Sequence, residues 1–377
     1  MRNRLNIIYG LVISFALCLF PGMVASASTI VQISCGGFHS LALKSDGTVW
    51  AWGLNIQGQL GDGTNIDKKI PVQVKELGNV AAIAGGVWHS MALKTDGTVW
   101  AWGGNWAGQL GDGTTKSRNT PVQVNDLRSI TAIATKGQHS VVLKSDGTVC
   151  TWGRNAYGQL GDGTTTDRHT PVQTRVLNKI ISIAGGGYHG LARKADGTIW
   201  AWGLNTYGQV GDGSITDRAI PVSVSGLDNA VSITCGGDHS IALKNNGTVM
   251  TWGFNKSGQL GDGSTVGRNT PYPVDGLKNV TAIASGGDHT LVLRSDGTVW
   301  AWGSNSSGQL GDGTTTDRGV PTLVKKLEYV TSVSSGGQHS LALKADGTVW
   351  GWGLNKNGQL GDGSNSNRNT PVQVICE

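Results

Sequence analysis

The stretch GGVWHSMALKTDGTVWAWG, residues 85–103, decides the fold because a version of it occurs seven times in one frame. Its histidine recurs every 50 residues without an insertion or a deletion, at His39, His89, His139, His189, His239, His289 and His339. Trp102 and the Gly-Asp-Gly triplet that begins at Gly111 recur with the same step. A repeat of this regularity is typical of architectures in which each unit buries its faces against its neighbours.

Each 50-residue unit is predicted to form four short strands. In the second unit these are Val80–Ala84, Ser90–Lys94, Thr98–Gly103 and Pro121–Val124. Asp96-Gly97 is a two-residue reversal that favours a hairpin between the second and third strands. A proline at the start of the fourth strand indicates an edge strand, and no segment has a helical period of useful length.

We therefore predict an all-β fold, a seven-bladed β-propeller of four-stranded antiparallel blades with one 50-residue repeat per blade. An open solenoid is the alternative, but a solenoid needs atypical capping repeats at its ends. The first and last units here match the consensus closely. A closed ring is the better interpretation.

The N-terminal residues 1–27 are predicted to be a cleavable secretory signal peptide. Arg2 and Arg4 precede the uncharged run from Ile7 to Phe20, and Ala25, Ser26 and Ala27 supply small residues at the cleavage positions. A membrane anchor is the alternative, but the run of 14 residues is short of the roughly 20 needed for a span. Cleavage would leave residues 28–377 as a single secreted or periplasmic propeller domain without a membrane span.

Charge and cysteine content exclude several classes. Loss of the two arginines of the signal peptide lowers the formal charge from +5 to +3, and no basic run argues for nucleic acid. Cys35 and Cys235 occupy the same slot four repeats apart and should lie across the ring from each other. Cys150 replaces a Trp or Met, which predicts a buried apolar role. With Cys376 these residues suggest no disulfide framework, and the absence of a C-x-x-C pair argues against a metal site.

Several apparent chemical motifs are better explained by the fold. A histidine required in every unit is predicted to be a structural hydrogen-bonding residue at the start of the second strand. Asp62 and its copies are predicted to shape a turn, and Arg118 and its copies to hold the long loop that follows the third strand. No nucleophile, base and orienting group stand out as a set, so we expect no catalytic residues and no cofactor.

The consensus G-G-x-H-S-L-A-L-K-x-D-G-x-V-W-A-W-G-x-N-x-x-G-Q-L-G-D-G, followed by a loop and a proline, resembles the repeat of the regulator of chromosome condensation family. The founding member is a nuclear exchange factor for the GTPase Ran. That nuclear role does not suit a protein with a predicted secretory signal peptide. Plant UV-B photoreceptors of the family use a G-W-R-H-T motif, and only Val87–Ser90 comes near it, without the arginine. A secreted bacterial β-lactamase-inhibitory protein of this fold is closest in architecture, and the resemblance implies binding through loops on one face.

Positions that differ between the seven units are free for function, because positions shared by all units serve the fold. One variable slot precedes the histidine, and a second lies between the fixed Asn55 and Gly58 and their copies. The first slot lies in the connection between the first and second strands, and the second slot lies in the connection between the third and fourth strands. Both connections should emerge on the same face of the disc. The aromatic side chains in or beside these slots are the predicted binding residues: Phe38, Trp88, Trp106, Tyr157, Tyr188, Tyr207 and Phe254.

These rings fall on the first four blades, with Phe254 at their border, while the later blades carry residues such as Asp238 and Asp288. An aromatic arc beside a polar arc is typical of a protein-binding surface. The alternative is that the rings fold over into neighbouring loops. We expect a secreted monomer that binds an extracellular or envelope protein, with inhibition of an extracellular enzyme as one form of this. A glycan-binding module, or a structural envelope protein without a discrete site, are the other hypotheses.

Overall fold

Four-stranded antiparallel sheets follow one another seven times along residues 28–375, the part of the chain described by the computed structural model. Each sheet is built from consecutive strands of one repeat, and the innermost strand of each blade contacts those of its two neighbours. The last innermost strand contacts the first, so the ring is closed. The predicted seven-bladed β-propeller is confirmed. The predicted signal peptide and Cys376 lie outside the described residues.

The first four blades have the following strands, in chain order from the axis outward. Blade 1 contains β1 (Ile30–Cys35), β2 (His39–Lys44), β3 (Val49–Gly53) and β4 (Lys68–Gln73). Blade 2 contains β5 (Val80–Gly85), β6 (His89–Lys94), β7 (Val99–Gly103) and β8 (Arg118–Gln123). Blade 3 contains β9 (Ile130–Thr135), β10 (His139–Lys144), β11 (Val149–Gly153) and β12 (Arg168–Gln173). Blade 4 contains β13 (Ile180–Gly185), β14 (His189–Lys194), β15 (Ile199–Gly203) and β16 (Arg218–Ser223).

The remaining three blades repeat this arrangement. Blade 5 contains β17 (Ala230–Cys235), β18 (His239–Lys244), β19 (Val249–Gly253) and β20 (Arg268–Pro273). Blade 6 contains β21 (Val280–Ser285), β22 (His289–Arg294), β23 (Val299–Gly303) and β24 (Arg318–Leu323). Blade 7 contains β25 (Val330–Ser335), β26 (His339–Lys344), β27 (Val349–Gly353) and β28 (Arg368–Gln373).

The strand bounds differ from the prediction chiefly in the outermost strand. In blade 2 that strand begins at Arg118 rather than Pro121, because Arg118 pairs with Gly103 across a register shift that follows Ala101. Pro121 is accommodated since β8 pairs only with β7 and has a free outer edge. The other three strands of the blade differ from the prediction by one residue at one end.

The core lies between blades rather than within them. One apolar cluster joins Leu41 and Leu43 of blade 1 to Ala92 and Trp102 of blade 2. Trp102 is fully buried, and its Nε1 donates to Gln59 O, 2.9 Å away in the long loop of the preceding blade. Each seam therefore combines apolar packing with a hydrogen bond that fixes the next blade.

The histidines join neighbouring blades. His39 Nε2 lies 2.8 Å from Ser90 Oγ of the next blade. Ser90 Oγ donates its own proton to Gln59 O at 2.8 Å, so it accepts from His39 Nε2–H. Burial lowers the pKa of His39 to about 3, which keeps the ring neutral. This confirms the predicted structural role.

The same link occurs at six of the seven seams. His139 is the exception, because Gly190 occupies the position of the serine or threonine in the next blade. Neither ring nitrogen of the buried His139 has a hydrogen-bond partner.

The long loop is held as the sequence predicts. Asp112 Oδ1 accepts from the main-chain N–H and hydroxyl of Thr114, at 3.0 and 2.7 Å. Arg118 donates to Asp112 Oδ2 from Nε at 3.1 Å and Nη2 at 2.8 Å. Burial alone would raise the pKa of Asp112, but these hydrogen bonds outweigh it and the pKa is lowered.

The cysteines lie partly where the sequence suggested. Cys35 and Cys235 line the axial channel from opposite sides and are free, and Cys150 is also free. Cys150 packs against an apolar core cluster, as its predicted role requires, but its side chain is half-buried rather than buried. Within residues 28–375 no cluster of metal-binding side chains occurs, and no helix long and apolar enough for a membrane span is found.

Candidate binding face

The two variable slots meet on one face of the propeller. Gly104 N donates to Trp88 O at 2.8 Å, which ties the connection after β7 to the connection before β6. Phe254 N and Asp238 O make the same bond in blade 5, also at 2.8 Å. The residues of both slots therefore lie on the same face of the propeller, which we call the variable face.

The first aromatic group on the variable face contains Phe38, Trp88 and Trp106. The Phe38 and Trp88 ring centroids are 5.5 Å apart, and the Trp88 and Trp106 centroids are 6.0 Å apart with an edge-to-face tilt of 65°. Phe38 and Trp88 are half-buried, while 43% of Trp106 is exposed. Trp106 thus presents a ring to solvent that is supported by Trp88, which in turn packs against Phe38.

Gly104 makes room for the Trp106 ring. A Cβ at this position would lie 2.5 Å from Trp106 Cζ3 and 3.2 Å from Trp88 Cβ. Gln138 holds the other edge of the ring, since Trp106 Nε1 donates to Gln138 Oε1 at 3.3 Å. The orientation of Trp106 therefore depends on the lack of a side chain at Gly104 and on the hydrogen bond to the Gln138 amide.

The second group contains Tyr157 and Tyr188, whose centroids are 5.4 Å apart at 77°. The Arg154 guanidinium lies 5.8 Å from the Tyr188 ring centroid, and its Nη1 donates to Gln138 Oε1 at 3.1 Å. Gln138 therefore connects the first two groups through Trp106 and Arg154. Tyr157 is 36% exposed and Tyr188 is half-buried.

The third group, Tyr207 and Phe254, borders an open cavity. Their ring centroids are 4.7 Å apart, and 43% of Tyr207 is exposed. The cavity has a volume of about 410 Å³ and also contacts Lys256. Gly267 also lines this cavity. Five other repeats have Asp or Asn at the position of Gly267, and the Oδ1 atom of that side chain accepts a hydrogen bond from the main-chain N–H of the loop asparagine.

The polar part of the face contains two carboxylates. Gln209 Nε2 donates to Asp238 Oδ1 at 3.3 Å, and Gln259 Nε2 donates to Asp288 Oδ1 at 3.1 Å. Burial, followed by the charge of Asp288, raises the pKa of Asp238 to about 6. The pKa of Asp288 is also raised, mainly by desolvation, although its side chain keeps an exposed edge.

All seven predicted aromatic residues thus lie on one face, but in three groups rather than one continuous arc. The alternative of rings folded onto their neighbours describes the four half-buried rings, whereas Trp106, Tyr157 and Tyr207 remain exposed. Sequence reasoning missed Gly104, Arg154 and Gly267. The first two occupy the slot before the fixed asparagine, and variation between repeats at that slot was the available signal.

The opposite face carries the Asp-Gly hairpins and the links between units. Thr95 N donates to Asn79 O at 2.8 Å, which joins a hairpin to a link. Exposed apolar residues also occur there, among them Val176, Ile181 and Tyr329. Within residues 28–375, all of the stacked aromatic pairs belong to the variable face and none lies on this opposite face.

Comparison with known proteins identifies the repeat. The family model described as the RCC1-like domain matches residues 17–342, and models of the regulator of chromosome condensation (RCC1) repeat match residues 330–359 and 346–375. Among curated relatives, the mitochondrial RCC1 domain-containing protein RUG3 of Arabidopsis thaliana is 44% identical over 50 residues, and the ultraviolet-B receptor UVR8 of the same plant is 52% identical over 50 residues. These matches span 13% of this chain and 11% of each relative.

Solved structures match over nearly the whole ring. Prp20p of Saccharomyces cerevisiae has a TM-score of 0.79 at 24% identity, covering 89% of this chain and 88% of its own. Human WBSCR16 has a TM-score of 0.76 at 26% identity, with 84% and 87% of the two chains covered. These likenesses concern the propeller fold.

Proposed function

The chain belongs to the RCC1-like domain family, and from this premise we propose that it is a secreted, non-catalytic propeller that binds an extracellular or envelope protein through its variable face. The observation that carries the proposal is the presentation of Trp106, Tyr157 and Tyr207, each exposed and each backed by a second aromatic ring. Rigid aromatic side chains with a supported base lose little entropy on binding and supply large contact area.

The scaffold supports this role because it separates binding from folding. The histidines, the inner tryptophans and the loop asparagines are fully buried, so the residues that vary on the face can change without loss of the seams. Aromatic anchors on one arc of the face beside Asp238 and Asp288 on the next combine apolar and polar contacts, the composition of a protein-binding surface. The proposal of secretion is based on the predicted signal peptide. We propose that the bound partner is an extracellular enzyme that the propeller obstructs.

The test compares two triple variants. Trp106→Ser, Tyr157→Ser and Tyr207→Ser together remove the exposed rings of the variable face. Val176→Ser, Ile181→Ser and Tyr329→Ser remove the same number of exposed apolar side chains from the opposite face. Both variants should unfold near the wild-type temperature, because the replaced side chains are exposed.

Immobilised wild type should capture a protein from the secretome of the native source, and the partner should then be measured against each purified variant. We expect at least about a hundredfold loss of affinity for the variable-face variant, since each hot-spot ring contributes about 2 kcal/mol. The opposite-face variant should bind as the wild type does. Equal binding by both variants, or capture lost only from the opposite-face variant, refutes the proposal.

A glycan ligand is the second candidate, and the cavity beside Tyr207 and Phe254 favours it. Its volume of about 410 Å³ suits a sugar ring, with aromatic faces for stacking and Lys256 and Thr265 for hydroxyl groups. Glycan-array binding that Phe254→Ala abolishes, without capture of any protein, would replace the protein-binding proposal by this one.

A further inference from the structure

Lys136 departs from the repeat inside the axial channel. The other six units have glycine at this position, as in Gly86 and Gly186. The Lys136 side chain crosses from blade 3 to the far side of the ring, where Nζ donates to Ser335 O at 2.9 Å and also to Ser285 O. Two of the three ammonium protons are therefore used by main-chain carbonyls, and one remains.

The charge of Lys136 has no counter-ion. None of the ion pairs observed within residues 28–375 includes Lys136. Desolvation is the main cause that lowers its pKa to about 8, and the Cys35 and Cys235 thiols oppose this only in part. The amine is still mostly protonated at neutral pH. A half-buried cation that lacks an opposite charge is costly, so an anion that enters the channel gains a favourable electrostatic interaction.

Hydroxyl groups face the lysine from the opposite arc of the channel. Ser34 Oγ accepts from Gly85 N at 3.1 Å, which leaves its own proton to donate. The buried Ser335 Oγ has no hydrogen-bond partner. Thr234 Oγ1 and Ser285 Oγ share a single hydrogen bond of 3.1 Å, so one proton of that pair is also unused.

These hydroxyls are departures from the repeat, as Lys136 is. Four units have alanine at the position of Ser34 and Thr234, namely Ala84, Ala134, Ala184 and Ala284. Two units have glycine at the position of Ser285 and Ser335, namely Gly85 and Gly185. Because the fold accepts alanine and glycine there, it does not require the hydroxyls.

We propose that the axial channel binds a small oxyanion between Lys136 and the hydroxyl arc of blades 5, 6, 7 and 1. The channel cavity has a volume of about 260 Å³ and is lined by Ser34, Thr234, Ser285, Ser335 and Lys136. An ammonium proton and several hydroxyl protons match the acceptor oxygens of a carboxylate or a phosphate. Burial raises the pKa of the Cys35 thiol to about 12, so the nearby sulfur is neutral and does not repel the anion.

The test measures thermal unfolding of the full chain in sodium acetate, sodium phosphate and sodium chloride at one ionic strength. For wild type we expect the midpoint to rise by at least about 2 °C in acetate or phosphate relative to chloride, because a ligand that binds only the native state stabilises it. The arm that gives the rise distinguishes a carboxylate from a phosphate. Lys136→Met should abolish the rise.

Lys136→Gly is the matched control for folding, since glycine is the residue of the other six units. It should fold and should also lack the anion-specific rise. Ser34→Ala, which introduces the residue of four sister units, should weaken the titrated affinity for the active anion at least fivefold. An equal rise in wild type, Lys136→Met and Lys136→Gly, or the same midpoint for wild type in all three salts, overturns the proposal.

Discussion

His339 Nε2 lies 3.0 Å from Ser40 Oγ, and this hydrogen bond joins the last blade of the ring to the first. Gln359 O accepts from Ser40 Oγ at 2.8 Å and from Trp52 Nε1 at 2.9 Å, so the long loop of blade 7 also rests on blade 1. The outermost strand β28 pairs with β27 of its own blade. The ring is therefore closed by side chains and a loop at a seam like the internal ones, without a strand exchanged between the terminal blades.

Ser40→Ala should lower the free energy of unfolding by about 1–3 kcal/mol, because it leaves the buried His339 Nε2–H without an acceptor. Urea denaturation measures this. Ser240→Ala breaks the corresponding bond to His189, 2.9 Å long, at an internal seam and is the control. If the seams are equivalent, the two losses agree within about 0.5 kcal/mol. A loss near zero for Ser40→Ala alone would mean that the terminal seam does not rely on this bond.

The protein should lose stability as the pH falls from about 6.5 towards 4. Burial lowers the pKa of His89 and His189 to about 3, whereas an unfolded histidine titrates near 6.5. The unfolded state thus binds more protons in this range, and at pH 5 each such histidine disfavours folding by about 2 kcal/mol. Urea midpoints at pH 7, 6 and 5 should fall in order.

The carboxylates do not account for this acid window. Asp112 has a lowered pKa, and its contribution to the free energy of unfolding is lost only when the pH falls below the usual aspartate range. Asp238, with its pKa raised to about 6, acts in the opposite direction and favours folding slightly as it is protonated. A midpoint unchanged between pH 7 and 5 would contradict the neutral, buried state of the histidines.

Tyr329→Asn should raise the free energy of unfolding by about 1 kcal/mol. Tyr329 has a φ of 58°, a left-handed conformation that costs most residues about 1–2 kcal/mol and asparagine less. Asn79, Asn229 and Asn279 occupy the same link position with φ between 54° and 56°. The Tyr329 side chain is 70% exposed, so little packing is lost.

Asn279→Tyr is the reverse substitution and provides the control for Tyr329→Asn. It should destabilise the protein by a similar amount in the same urea experiment. A stabilising effect of Asn279→Tyr would show that ring contacts, rather than backbone conformation, determine the preference at this link.

Gly104→Ala should displace the Trp106 ring without unfolding the blade. The new Cβ would meet Trp106 Cζ3 at 2.5 Å, and the flexible ring can turn towards solvent. We expect a red shift in tryptophan fluorescence, a stability change below about 1 kcal/mol, and at least tenfold weaker capture of the partner.

Gly103→Ala tests the opposite case in the neighbouring residue. Its φ is 102°, and a Cβ would lie 2.5 Å from Trp88 O, which is main chain and cannot turn away. This variant should lose stability strongly. If Gly104→Ala behaves in the same manner, Gly104 serves the fold rather than the position of Trp106.

The repeat allowed the fold to be predicted because its periodicity is local information. Alternation along Val99–Gly103, the Asp96-Gly97 reversal and the 50-residue step depend only on neighbours in the chain and on comparison between units. The direction of the strands also placed Trp88 and Trp106 on one face, since antiparallel strands return to the same side. The start of the outermost strand at Arg118 could not be predicted, because it depends on a register shift against β7.

The sequence by itself determined the seven blades, the structural histidines and the face on which the variable residues lie. Only the tertiary structure decided which rings stack, because Trp88 and Trp106 meet across the space left by Gly104, and Gln138 joins them to Arg154 from a different blade. It also placed the Lys136 ammonium beside Ser335 O, 199 residues away in sequence. Such contacts depend on ring closure, which brings distant blades around one axis, and no local pattern encodes that distance.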